Sequence, residues 1–239
     1  IIIGGVRGYK STDNGATFSV LLNPYNIPAG VGFYVHPDHH HLSFLEDGVT
    51  VINGHDGGVH KGLFSATTGW TDISNGLIIT QPYNIAITQG LNGDDYMMGN
   101  QDNDGFSKVL KDGTQKWVAC QAGDGTSVAI DMLDSGIRYL GGTNGSLNKT
   151  DDGYSSSFNN ADEILPGVSD GSVAFVSPLA LHPTIATTIY AGHGDVKKST
   201  NRGGDGTNVN VDWTSLNSGL TETEFLDVSV NNNSTTTRI

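Results

Sequence analysis

Lys10-Ser11-Thr12-Asp13-Asn14-Gly15-Ala16-Thr17-Phe18 is the stretch whose reading decides the fold, because weaker copies of it follow at nearly even spacing towards the C-terminus. Asp13 is placed to accept hydrogen bonds from the backbone amides after it, Gly15 supplies the positive φ of a tight turn, and Phe18 starts the next strand. The stretch therefore reads as a self-capped corner between two β-strands, with Ser11 and Thr17 completing its polar set.

Outward from that corner, Ile1 to Lys10 (IIIGGVRGYK) aligns without a gap on Ile189 to Lys198 (IYAGHGDVKK), and both run on into Ser-Thr. Val51-Ile52-Asn53-Gly54, Met97-Met98-Gly99-Asn100 and Tyr139-Leu140-Gly141-Gly142 fall between them in the same phase. The aromatics expected after the corners are Phe18, Trp70, Trp117, Phe158 and Trp213, at intervals of 52, 47, 41 and 55 residues. In a second register, WTDISNGL (Trp70 to Leu77) and WTSLNSGL (Trp213 to Leu220) lie 143 residues apart. Apolar strands at Leu42-Ser43-Phe44, Tyr83 to Ile87, Val128 to Ile130, Val173 to Val176 and Phe225 to Val230 read as the innermost strand of each unit, buried on both faces.

Short strands repeating at this period predict an all-β fold, a β-propeller of four-stranded blades, with residues 1–239 forming one domain of five repeats. Ile239 falls in the phase of Ile1 and Ile189, which fits a closed five-blade ring and equally a segment of a larger propeller. The later corners are degenerate. Asp151 and Gly153 keep the acid and the glycine, Asn201 stands in the Asp position, only Asp112-Gly113 remains before Trp117, and Phe64 replaces the acid before Trp70.

The spacing of Ser11, Asp13, Gly15, Thr17 and Phe18 resembles the Asp-box of BNR-type β-propellers, a group that includes sortilin-type receptors, sialidases and xyloglucanase-like glycoside hydrolases. A second likeness, to bacterial sortilin-like members, lies in His36-Pro37-Asp38-His39-His40 followed by Gly54-His55-Asp56-Gly57-Gly58, where His55 replaces the usual Asn. Membership of this group would imply a secreted or cell-surface protein.

Composition bounds the function classes. A net charge of −13, with only 12 Lys and Arg among 239 residues, excludes the basic surface that nucleic acid requires and disfavours anionic membranes. No run of 18 apolar residues is present to form a transmembrane helix. Cys120 is the only cysteine, which excludes an internal disulfide and a cysteine-based zinc site. The abundance of Gly (33 residues), Asn, Asp, Ser and Thr describes many turns and little helix. The opening Ile1-Ile2-Ile3, without an initiator Met, reads as part of a longer polypeptide or surface assembly.

Two constellations carry candidate chemistry. His36, Asp38, His39, His40, His55 and Asp56 sit in loops ahead of expected inner strands, where a propeller opens onto its channel. Imidazoles with carboxylates suit zinc, and the alternative is a knot of hydrogen bonds that satisfies the loops. Gln101, Asp102 and Asp104, with Asp124 some twenty residues on, offer oxygen ligands that suit calcium, or turn caps. The full metal-ligand set considered is Asp38, His39, His40, Asp56, Asp102 and Asp104.

Catalysis is argued by subtraction. Arg7, Arg138, Arg202 and Arg238 are too scattered for the arginine triad of a sialidase, and no nucleophile elbow is present. The expectation is a non-catalytic module binding a glycan or protein partner through these loops. The alternatives are a xyloglucanase-like glycoside hydrolase using two of the loop carboxylates and a structural repeat unit of a surface protein or filament.

Overall fold

The computed structural model describes residues 1–25, 35–90, 93–111, 113–121, 123–154, 161–167, 172–207, 212–216, 219, 229–230 and 237–238. Phe158 and most of the strand expected from Phe225 lie outside these residues. The described chain is all-β and antiparallel, and it divides into two compact units, Ile1–Ile79 and Thr80–Ile239. No helix among the described residues is long and apolar enough to cross a membrane.

In the first unit, β1 (Ile2–Ile3), β2 (Gly8–Lys10) and β3 (Ser19–Leu22) form a three-stranded sheet. A four-stranded sheet follows from β4 (His39–Phe44), β5 (Thr50–His55), β6 (Gly58–Leu63) and β7 (Thr71–Asp72). In both, consecutive strands are neighbours. Leu21, Leu22, Val35, Val51 and Trp70 form the core of this unit, with Ile2, Leu42 and Phe64 packed on it. Gly62 is required on β6, because a Cβ there would stand 2.4 Å from the Trp70 ring.

The second unit repeats the meander. Its first sheet is β8 (Pro82–Gly90), β9 (Gly93–Asn100), β10 (Gly105–Lys111) and β11 (Thr114–Gln121). The next is β12 (Val128–Ile130), β13 (Arg138–Gly141), β14 (Leu147–Thr150) and β15 (Asp162–Leu165). β16 (Leu179–Leu181), β17 (Ile189–His193), β18 (Asp195–Ser199) and β19 (Thr214–Ser215) form the third, and β20 (Ser229–Val230) pairs with β21 (Thr237–Arg238). One core joins Met97, Cys120, Val128, Ile130, Leu140 and Tyr154, and another joins Tyr139, Leu147, Ile164, Ile189, Trp213 and their neighbours.

The phase read from the sequence places Val51, Met97, Tyr139 and Ile189 at one position of β5, β9, β13 and β17, and all four are fully buried. First strands are less uniform. β12 is buried throughout, whereas on β8 Ala86 packs on the core and Ile85 and Ile87 point outward, 64% and 60% exposed. The strand expected at Val173 to Val176 is instead β16, at Leu179–Leu181. Val173 and Ala174 are buried, but their run is used in stitching: Val176 bridges Thr143, and Asn144 N donates to Phe175 O at 3.0 Å. The aromatics divide as well, Trp70 and Trp213 being buried while Phe18 and Trp117 are 43% and 48% exposed.

Three corners share one hydrogen-bond pattern. The hydroxyl of Ser11, Thr150 or Ser199 donates at 2.7 Å to a side-chain oxygen two residues on, of Asp13, Asp152 or Asn201. The same hydroxyl oxygen accepts Gly15 N at 2.8 Å in the first corner and Gly203 N at 2.9 Å in the third. Positive φ follows at both next positions, Asn14 and Gly15, Gly153 and Tyr154, and Arg202 and Gly203. Asp13 also accepts Thr17 N at 2.9 Å and the Thr17 hydroxyl at 2.5 Å. In the second corner the acceptor is Asp152, not Asp151. Asp151 is exposed beside Lys149, 3.6 Å away, because Thr150 sets the register and the acid two places on receives the hydroxyl.

Lysines ahead of corners tie adjacent sheets. Lys10 Nζ donates to Phe64 O and Ser65 O at 3.0 and 3.1 Å, and Lys149 Nζ donates to Gly204 O at 2.6 Å. At the opposite end of the sheets, two incoming connectors are stitched to the turn of the sheet before them, each pair within one unit. His39 N donates to Gly5 O, and Gly125 N donates to Asn100 O. This end carries the candidate site residues.

Candidate functional site

In the first unit, β4 pairs with β5 so that His39 lies opposite His55, and a bulge between His39 and His41 breaks the alternation. A bulge re-aims side chains, and here it releases His40 to hydrogen-bond Asp56 through Nε2 and Oδ1. His39 stays with Leu42 on the face of Asn53 and His55, and β6 adds His60 opposite Asn53.

The result is a packed imidazole cluster. His39, His55 and His60 are 6%, 7% and 7% exposed. The rings of His39 and His55 meet edge to face at 6.1 Å, His36 stacks on His55 at 6.1 Å, and His55 and His60 lie 4.9 Å apart. Asn53 Nδ2 donates to His39 Nδ1 at 3.0 Å, and a 2.8 Å hydrogen bond joins His55 Nε2 to His60 Nδ1. Burial lowers the pKa of His39. It pushes His55 down to about 3, with the neighbouring His60 as the next cause. Both rings are therefore neutral at physiological pH. His39 Nε2, His55 Nδ1 and Asn53 Oδ1 are buried without a hydrogen-bond partner. Asp38 adopts φ 59° at the start of this segment, and Gly57 lies against His36, where a Cβ would come within 2.6 Å.

The second unit holds the other constellation. Asp102 N donates to Asp124 Oδ1 at 3.1 Å, Gly123 N to Asp104 Oδ1 at 3.0 Å, Asp104 N to Gly123 O at 2.8 Å and Gly125 N to Asn100 O at 3.1 Å. Four hydrogen bonds thus lock residues 100–104 to residues 123–125. Asp102 and Asp104 both sit at positive φ, 57° and 60°, a conformation Asp tolerates better than most side chains. Asn100 is fully buried and anchors the turn by donating to Asp104 O at 2.8 Å, while Gln101 N donates to Gln81 O at 3.0 Å.

Sequence reasoning missed two participants, Tyr83 and His60, and Arg138, one of the four scattered arginines, proves structural. Tyr83 is 37% exposed, and its pKa is raised by burial and then by the charges of Asp124 and Asp102, whose field reaches its phenol. Its run reads as a buried strand, which conceals it. His60 is signalled only by alternation, since Asn53 and His55 recur at every second residue and Gly58 and His60 continue that face across a tight turn. Arg138 lies at the base of a cleft of about 200 Å³ lined by Asp95, Leu110, Gln115 and Asp152. It donates to Ser135 O, Ser107 Oγ and Lys108 O and reaches Asp95 at 3.3 Å, a structural role for a guanidinium only 4% exposed.

Comparison of the chain with protein-family models and with curated proteins found no match. The chemistry therefore rests on the residues themselves. Among the described residues, Asp13, Asp47, Asp72 and Asp205 are moved below the ordinary carboxylate value by turn hydrogen bonds. That direction suits acceptors that hold turns.

Proposed function

We propose that the chain is a β-propeller protein of the BNR or Asp-box kind, secreted or held at the cell surface, that binds a glycan or protein ligand without turning it over. The reading is carried by the interlocked loops 100–104 and 123–125, with Tyr83 within the field of the Asp102 and Asp124 charges. Loops fixed in advance by four mutual hydrogen bonds lose little freedom on binding, which favours recognition. A half-exposed amphipathic aromatic ring in the field of carboxylate acceptors matches the mixed apolar and hydroxyl surface of a sugar.

Support for the propeller comes from the successive meanders, the shared corner pattern and the connectors stitched to preceding sheets. The test is a glycan array followed by titration of the best ligand. Binding should fall at least tenfold in Tyr83→Ala and Asp102→Asn, with no reducing ends released from the bound polysaccharide. Turnover abolished by Asp38→Asn or Asp102→Asn would replace this reading with a glycoside hydrolase.

A further inference from the structure

The cleft over Arg138 lies at the end of the second unit's strands opposite loops 100–104 and 123–125, between the sheet β8–β11 and the sheet β12–β15. Asp95, Leu110 and Gln115 line it from β9, β10 and β11, and Ser135, Arg138 and Gly153 close it from the second sheet. Its volume of about 200 Å³ falls below the roughly 300–1,000 Å³ of a drug-sized pocket and suits one small unit.

Arg138 sets the chemistry of the floor. A guanidinium carries five N–H donors. Nε donates to Ser135 O, Nη1 donates to Ser107 Oγ and Lys108 O, and Nη2 meets Asp95 Oδ1 at 3.3 Å, which engages four of them and holds the two sheets together. The fifth, on Nη2, has no partner among the described residues. Gly153 leaves room at that nitrogen, since a Cβ there would stand 3.4 Å from Nη2. The Arg138 side chain is 4% exposed, and an unspent donor at such a depth is costly unless an acceptor enters the cleft. Asp95 meets the same nitrogen through Oδ1 only, which leaves Oδ2 as an acceptor at its side.

A donor and an acceptor side by side select the ligand. An ammonium or guanidinium group supplies no acceptor for Arg138, and a carboxylate supplies no proton for Asp95. Asp152, a second carboxylate in the lining, and the chain's net charge of −13 further disfavour an anion. A hydroxyl both accepts and donates, so two hydroxyls on adjacent ring carbons serve Arg138 and Asp95 together. Leu110, 61% exposed, gives the ring an apolar ledge, and the exposed Gln115 amide adds a donor and an acceptor at the rim. We infer that this cleft binds one neutral sugar unit, its vicinal diol held between Arg138 Nη2 and Asp95. The site shares no residue with the loops 100–104 and 123–125 and does not depend on what they bind.

The full chain, labelled with ¹⁵N, is titrated with methyl glucoside, methyl galactoside and methyl mannoside, and with guanidinium chloride and sodium acetate as charged controls. At least one glycoside should shift the Arg138 Nε–H, Gln115 side-chain and Gly136 amide signals saturably, and neither control should. Asp95→Asn should weaken that binding about tenfold or more and Gln115→Ala about threefold. The same glycoside with every hydroxyl methylated should not bind. Absence of a saturable shift with all three glycosides, equal shifts with a charged control, retained binding of the methylated sugar, or unaltered affinity in Asp95→Asn overturns the inference. If Asp95→Asn unfolds the protein, Gln115→Ala decides, because its side chain lies on the exposed rim, and unaltered affinity there overturns it. Shifts confined to Tyr83 and residues 100–104 and 123–125 also overturn it, while leaving binding at those loops standing.

Discussion

Arg202, at a positive-φ position in the corner after β18, donates from Nε to Asp131 Oδ2 at 2.8 Å and so joins its sheet to the turn between β12 and β13 of the preceding one. Asp131 is 1% exposed, and its other oxygen accepts Leu133 N and Asp134 N at 2.8 and 3.1 Å. The carboxylate is thus satisfied only while the arginine is present. Arg202→Ala should lower unfolding stability by about 2–3 kcal/mol, the modest end for a buried pair because the arginine is partly exposed. Arg202→Lys should recover part of that loss. Urea denaturation of the three proteins checks it, and an unchanged midpoint in Arg202→Ala would show that the pair contributes nothing net.

Ser11 is 3% exposed and serves as both donor and acceptor in the first corner. Ser11→Ala leaves Gly15 N without that acceptor and should cost about 1–2 kcal/mol. Asp13 in the same corner is held down to about 2 by hydrogen bonds from Thr17 and Ser11. A depressed carboxylate stabilises the fold above its unfolded pKa, and that contribution is lost as pH falls through the folded value. The corner should therefore loosen between about pH 4 and pH 2. A carboxyl ¹³C titration of Asp13 that gives an ordinary midpoint would contradict the hydrogen-bonded turn.

The corner at Asp13 was legible because its polar atoms act within seven residues, where hydrogen-bond rules need no tertiary context. The second corner is offset by one residue from its reading in the sequence, with Asp152 and not Asp151 as the acceptor. Asp151 and Asp152 are adjacent acids, and only the hydroxyl of Thr150 decides between them. Strand periodicity located β5, β9, β13 and β17, yet Val173 to Val176 misled because an apolar run can be buried while pairing across sheets. The lysine ties from Lys10 and Lys149 run to backbone carbonyls 54 and 55 residues away, which no local pattern records. For the candidate site, the residue types were visible in the sequence, but His55 meets His60, and Tyr83 comes into the field of Asp124, only after folding.

Gly62 faces the Trp70 ring closely enough that a methyl group would overlap it. The ring is fixed from behind, since Trp70 Nε1 donates to Ala66 O at 3.1 Å. Gly62→Ala should destabilise the first unit by about 1–3 kcal/mol through overpacking. Trp70 fluorescence should shift to the red at a lower urea concentration than in the wild type. An unaltered transition would mean that β6 and Trp70 do not pack as described.

His55 supplies a pH dependence of opposite origin to that of Asp13. Its pKa falls to about 3 on folding because burial disfavours the imidazolium and His60, His39 and His36 crowd it, with Asp72 opposing weakly. Between that value and the unfolded value near 6.5, the unfolded chain binds the proton and the folded chain does not, so stability must decline as pH is lowered. One such group contributes about 1.4 kcal/mol of loss per pH unit across this window. In chelator-containing buffer, the melting temperature should drop from pH 7 to pH 5 in the wild type and drop less steeply in His55→Gln, whose amide does not titrate. Parallel profiles would show that His55 takes up its proton while still folded, against the burial that holds the ring between β4 and β6.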